Sequence, residues 1–140
     1  MKNNILQNKL DSLVKLYLTT GVQPSDLADN IFLENYKQIS FLKHNGLLVG
    51  EIVYEENYNG SLIDTKLRYF YKDKQVITIE EEFLDTKTII WDRKETTSKL
   101  LQEIISILTS SYSAQEIDAF INSLPEDLSV ELTNILQLTA

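Results

Sequence analysis

The sequence contains no cysteine, and only one of its 140 residues is a histidine, His44. Without cysteine there can be no disulfide framework, no thiolate metal site and no cysteine nucleophile. A lone histidine beside an Asn-Gly turn cannot by itself complete a serine–histidine–aspartate triad or a zinc site. A glycine-rich phosphate loop and a dinucleotide fingerprint are also absent. We therefore expect no metal, no cofactor and no catalytic residues, in a protein that is not an enzyme.

Proline and glycine are scarce, with two and four residues. This argues against a long linker, and 140 residues is the usual size of one domain, so we expect a single domain over residues 1–140. No apolar run approaches the roughly 20 residues that span a bilayer, and the N-terminal segment lacks the cleavage site of a signal peptide. The expectation is a cytoplasmic protein that does not bind membranes.

Basic residues are few and unevenly distributed. The chain has 13 Lys and Arg against 21 Asp and Glu, a net charge of −8, and no Lys or Arg lies in residues 100–140. Such a negative field disfavours nucleic acid and favours a basic protein partner. The alternative is that the acidity only keeps the protein soluble.

The spacing of apolar residues predicts helices at both ends of the chain. Leu6, Leu10 and Leu13 recur with helical period, which indicates a helix over residues 4–19. The same period returns towards the C-terminus and indicates two to three helices over residues 96–138.

Between the first helix and the sheet, the segment PSDLADNIFL is typical of a short helix or turn. We expect it to bury Leu27, Ile31 and Phe32. Further along, Ser113 and Glu116 have the spacing of a capping box, which predicts a helix start there.

The apolar period is two over residues 36–92, which predicts an antiparallel β-meander. Asn45–Gly46 and Asn59–Gly60 are strong hairpin signals. Weaker turn signals at 72–74 and 84–86 predict three-residue loops. The five predicted strands cover residues 37–43, 47–57, 61–71, 75–83 and 87–92.

The predicted fold class is α+β: an N-terminal helix, a five-stranded antiparallel meander, then two to three C-terminal helices packed on one face of the curled sheet. The predicted hairpins align one row of apolar residues across the sheet, because a slip of one residue would reverse every side chain. That row consists of Ile39, Ile52, Leu67, Ile79 and Trp91.

Carboxylates gather on the other face of the predicted sheet. Opposite charges explain Glu80, which this register places opposite Lys66. Glu55, Asp64 and Glu82 instead share a row, where they repel one another. We interpret this acidic strip as a binding site for a basic segment of a partner. The alternatives are a solvated sheet end, an error of register, or a site for a divalent cation, which has no supporting loop motif.

Glu81 is the one acid predicted on the apolar face. With Tyr54 and Trp91 it outlines a candidate ligand cavity between the sheet and the helices. A buried carboxylate needs hydrogen-bond donors or an opposite charge, so the competing interpretation is an open sheet edge where Glu81 reaches water.

The C-terminal helices carry acids on their predicted outer faces, and we include Glu116, Glu126 and Asp127 in the partner-binding surface. The alternative is a solvated outer face without a partner. A homodimer could instead form through leucines that the core does not need. These are Leu124, Leu128, Leu136 and Leu138.

Taken together, these features favour a non-enzymatic, acidic protein-interaction module of the adaptor, inhibitor or chaperone-like kind. Its partner would be a basic or partly apolar protein. The second hypothesis is a small-ligand binding domain that uses the cavity around Tyr54, Glu81 and Trp91.

Overall fold

The computed structural model describes residues 2–139, and the side chains of residues 4–137. It confirms the α+β class and the predicted element order, with an open, somewhat curled five-stranded antiparallel sheet in the order β1-β2-β3-β4-β5. The elements are α1 (Lys2–Leu18), α2 (Pro24–Asp29), a 3-10 turn (Asn30–Phe32), β1 (Tyr36–His44), β2 (Leu47–Tyr58), β3 (Ser61–Lys72), β4 (Gln75–Phe83), β5 (Thr86–Asp92), α3 (Arg93–Ser111), α4 (Ala114–Asn122) and α5 (Glu126–Thr139).

The chain divides into two compact units. The helical unit consists of Met1–Leu18 and Glu95–Ala140, and the sheet unit consists of Thr19–Lys94. The organisation as a single domain stays a prediction. Within the described residues, no helix is long and apolar enough to cross a membrane.

The helical unit has a hydrophobic core of its own, because α1 and α3–α5 each bury one apolar face. Leu13, Ile104, Leu108 and Leu132 are fully buried in it. The predicted capping box at Ser113 is present and starts α4. The helical spacing of apolar residues was therefore a sufficient signal for this unit.

The first face of the sheet, which carries Ile52 and Tyr71, holds the core of the sheet unit. Leu27 of α2 packs in the same cluster and is only 1% exposed. The prediction that Ile31 and Phe32 are also buried is wrong, because they are 44% and 87% exposed. Helix α2 ends at Asp29, and the tighter 3-10 turn that follows changes the direction of the side chains.

The first two hairpins have the predicted register. Asn45 and Asn59 take the left-handed conformation that two-residue hairpin turns require, with φ of 50° and 51°. Ile52 pairs with Ile39 on β1 and with Leu67 on β3, as predicted.

The third and fourth hairpins differ from the prediction. Their loops are two-residue turns at Asp73–Lys74 and Leu84–Asp85, all four residues having positive φ. A two-residue turn by itself would place each following side chain on the face opposite to the predicted one. A β-bulge in each hairpin adds one residue, so that the side chains beyond the bulge lie on the predicted face again. Leu67 therefore lies opposite Glu81, two residues from its predicted partner Ile79.

Candidate functional site

The second face of the sheet is organised around Arg68. Its Nε, Nη1 and Nη2 atoms each lie 2.8 Å from a carboxylate oxygen, of Glu51, Glu80 and Glu82 respectively. Glu51 and Glu80 face Arg68 from the neighbouring strands. The predicted pairing of Glu80 with Lys66 is wrong, because the shifted register places Lys66 opposite Glu82.

These four side chains, the Arg68 cluster, are mostly shielded from water, with exposed fractions between 18% and 26%. Burial acts to lower the pKa of Arg68, but the hydrogen bonds to the three glutamates outweigh it and raise the pKa. The hydrogen bond from Arg68 in turn lowers the pKa of the Glu82 carboxyl, against the effect of burial. One cation holding three carboxylates explains why Glu82 is tolerated without a partner protein.

A second ion cluster joins Lys37 to Glu55 and Asp64. The Nζ atom of Lys37 lies 3.3 Å from Glu55 and 3.0 Å from Asp64. The register of β1 and β2 shifts between Tyr36 and Gln38, so Lys37 is the extra residue of a β-bulge. A bulge redirects the side chain that it contains, and here it brings a cation to the second face.

The predicted acidic strip is therefore a mixed-charge hollow. Glu55 faces Asp64 as predicted, whereas Glu82 does not lie in their row. The three acids do line one surface hollow of about 540 Å³, but Lys37 and Lys66 line it too. The acid-only row is wrong because the two-residue turn and the bulge between β3 and β4 together shift the register by two residues. The partner-binding role of these residues stays a prediction.

The residues of the candidate ligand cavity lie on the first face. Glu81 and Tyr54 are half-buried, and Tyr54 faces the fully buried Thr65. Trp91 pairs with Ile79, as predicted, and the Arg93 guanidinium lies 5.2 Å from the centre of its ring. Trp91 is thus engaged by a cation of the protein itself. A ligand cavity formed by Tyr54, Glu81 and Trp91 stays a prediction.

The three acids of the C-terminal helices that were predicted to bind a partner each lie in the first turn of a helix. The Glu116 carboxylate accepts a hydrogen bond of 2.9 Å from the Ser113 backbone N–H, and Glu126 and Asp127 begin α5. Negative charge there stabilises a helix by complementing its dipole. A structural role therefore accounts for all three, and their partner-binding role stays a prediction.

The leucines proposed for a homodimer serve the helical core in part. Leu128 is buried, and Leu124 and Leu136 pack against the same cluster. The side chain of Leu138 lies outside the described residues. Because Leu128 is 5% exposed, it has no surface to offer to a second copy. Dimerisation itself stays a prediction.

A feature that the sequence reasoning missed is an apolar hollow of about 400 Å³ between α4 and α5. Ile117, Ile121 and Leu136 provide its apolar lining, and Asp118 is the charged residue in it. The spacing of these residues had indicated only helices with a buried face. The sequence feature that could have indicated the hollow is the difference in length between the two helices, because α4 has nine residues and α5 has 14.

Within the part of the chain that the structure describes, no group of three or more His, Asp or Glu residues is arranged to hold a metal ion. No protein-family model, curated protein or solved structure matches the chain.

Proposed function

We propose that the protein is a non-enzymatic interaction module that binds a basic, partly apolar segment of another protein. The observation that carries the proposal is the hollow between α4 and α5, hereafter the α4–α5 hollow. It combines an apolar lining with Asp118, in a region, residues 100–140, that has acids but no Lys or Arg. The second face of the sheet carries the proposal less well, because its acids are paired with Arg68 and Lys37.

The chemistry of such a hollow matches one kind of ligand. Apolar side chains of a partner would fill the space between Ile117, Ile121 and Leu136, and flanking lysines or arginines would face Asp118. Long-range attraction to the acidic helices would accelerate the encounter, and salt would slow it.

Calorimetric titration with a synthetic peptide tests this proposal. The probe is an amphipathic peptide of leucines and lysines, about 12 residues long, and its control has glutamate in place of lysine. We expect saturable binding of the lysine peptide, weakened about fivefold or more between about 50 and 300 mM NaCl. The glutamate peptide should not bind.

Two substitutions on α5 locate the binding site. Gln137 lines the α4–α5 hollow, whereas Asn134 is exposed on the same helix but is not part of that lining. Gln137→Lys should weaken binding about fivefold, and the matched Asn134→Lys, with the same charge change, should have little effect. Equal effects of both substitutions, or binding that is insensitive to salt, would contradict the proposal.

A further inference from the structure

One end of the first face of the sheet combines aromatic rings with carboxylates. Tyr54, Glu56 and Tyr58 alternate along β2 and therefore point to the same side. Thr65 faces Tyr54, and Phe83 faces Thr65, so the same surface continues onto β4. The acid–aromatic patch is defined by Tyr36, Tyr54, Glu56, Tyr58, Glu81 and Phe83.

The rings of the patch form two ordered pairs. Tyr36 stacks on Tyr54 with 5.3 Å between ring centroids and an interplanar angle of 23°. Tyr58 meets Phe83 edge to face, also at 5.3 Å, with an angle of 79°. Tyr58 remains 46% exposed, so ring surface is open to solvent. The faces of aromatic rings carry negative potential, which attracts cations.

Two carboxylates act on the same phenol in this patch. Burial raises the pKa of the Tyr54 hydroxyl, and the hydrogen bond to Glu56 and the charges of Glu56 and Glu81 raise it further. On the sheet, Glu56 and Glu81 lie in the rows on either side of the row formed by Tyr54, Thr65 and Phe83. Among the described residues, neither Glu56 nor Glu81 has a cationic partner within ion-pair distance.

The bulge at Lys37 explains why this surface lacks a counter-ion. Regular alternation from Ile39 along β1 would place Lys37 on the first face, close to the patch. The bulge instead directs Lys37 to Glu55 and Asp64 on the second face. Glu55 and Asp64 on the second face therefore share a cation that the acids of the patch do not have.

We propose that the acid–aromatic patch binds the guanidinium of an arginine in a basic protein segment. The exposed ring of Tyr58 would contact the face of the guanidinium, and Glu56 would accept its hydrogen bonds. The negative charge of Glu81, on the far side of Tyr54, would add to the attraction. The occupant follows from charge complementarity, since the patch offers ring surface and two carboxylates that have no cationic partner among the described residues. The inference rests on the proposed function, because it takes the same basic protein segment as the partner. It gives that segment a second contact surface on the protein.

The test is a two-dimensional NMR titration of the ¹⁵N-labelled full chain with a synthetic peptide of alternating glycine and arginine. This probe has no apolar side chain for the α4–α5 hollow. We expect saturable shifts of the backbone amides of Tyr54, Glu56 and Glu81. The double substitution Glu56→Gln with Glu81→Gln should raise the Kd about tenfold. Tyr58→Leu should raise it about threefold, through loss of the ring face.

Glu34→Gln provides the control, because Glu34 is an exposed acid of the sheet unit outside the patch. It should leave the Kd unchanged, and retained peak dispersion shows that each variant is folded. Shifts confined to α4 and α5 would overturn this inference and leave the proposed function standing. An unchanged Kd in the double variant would also overturn it. If neither this peptide nor the leucine–lysine peptide binds, both proposals fail.

Discussion

Arg68 Nη1 lies 2.8 Å from Glu80 Oε1, between residues that face each other on β3 and β4. Glu51 and Glu82 accept hydrogen bonds from the Nε and Nη2 atoms of the same guanidinium. A single central cation thus keeps three partly buried carboxylates from repelling one another.

Replacing Arg68 should be the most destabilising change on the second face of the sheet. Arg68→Met leaves three carboxylates partly buried without a counter-ion, and we expect the free energy of unfolding to fall by about 3 kcal/mol. Lys66→Met removes a cation from the same strand and face, but Lys66 is outside the Arg68 cluster, so its effect should stay under about 1 kcal/mol. Urea denaturation measures both values. Equal losses would show that the cluster contributes only as general surface charge.

The stability of the protein should fall in acid, and Glu82 should contribute to the fall. Its pKa in the folded state is lowered by the hydrogen bond from Arg68, so the folded state binds the proton less readily than the unfolded chain. The resulting stabilisation is present above the ordinary glutamate pKa of about 4.3 and is lost as the pH falls through the lowered value.

Denaturation curves recorded from pH 7 down to about pH 3 test this pH dependence. Glu82→Gln should reduce the slope of stability against pH below about pH 4.3. It should not abolish the slope, because Lys9 lowers the pKa of Glu103 in the same direction. A slope equal to that of the unsubstituted protein would mean that Arg68 does not favour the ionised form of Glu82.

The first two hairpins could be predicted from sequence because each has an Asn-Gly turn. That dipeptide specifies a two-residue loop, and the loop length then fixes which residues face each other. The predicted pairing of Glu55 with Asp64 followed from this and is confirmed. The positions of the helices and strands could also be predicted from the sequence, since the apolar period changes clearly between the helical and sheet segments.

The later hairpins could not be predicted because their turn residues carry no matching signal. Asp73–Lys74 and Leu84–Asp85 adopt the left-handed conformation, although neither pair is the Asn-Gly dipeptide that favours it. The position of a β-bulge depends on packing and twist, which a single sequence does not display. Glu82 was therefore placed beside the wrong neighbours, and the sequence did not indicate that Lys37 would reach Glu55 and Asp64.

The turn at Leu84 should contain removable strain. Leu84 has φ of 50°, a conformation that costs a branched apolar residue about 1 kcal/mol and that asparagine tolerates well. Its side chain is 52% exposed, so little packing is lost on substitution. We expect Leu84→Asn to raise the free energy of unfolding by about 0.5–1 kcal/mol.

Leu62→Asn is the matched control for the turn substitution. Leu62 and Leu84 both line the mixed-charge hollow. Leu62 is 70% exposed, but it lies in the extended strand β3. Asparagine is unfavourable in strands, so this change should lower stability slightly. Thermal unfolding of the two variants distinguishes the outcomes, and stabilisation by both would point to removal of surface hydrophobicity instead of turn strain.

Replacing Thr65 with valine should stabilise the protein, although exchanging a buried threonine for valine usually destabilises one. Its side chain is fully buried between Tyr54 and Phe83, and its hydroxyl has no hydrogen-bond partner among the described residues. A buried hydroxyl without a partner costs about 1–3 kcal/mol, so Thr65→Val should stabilise the fold by about 1 kcal/mol. Thr78 provides the comparison, because its hydroxyl donates to Asp92 at 3.0 Å. Thr78→Val should destabilise by about 1 kcal/mol, and chemical denaturation that finds both variants destabilised would show that the Thr65 hydroxyl is satisfied after all.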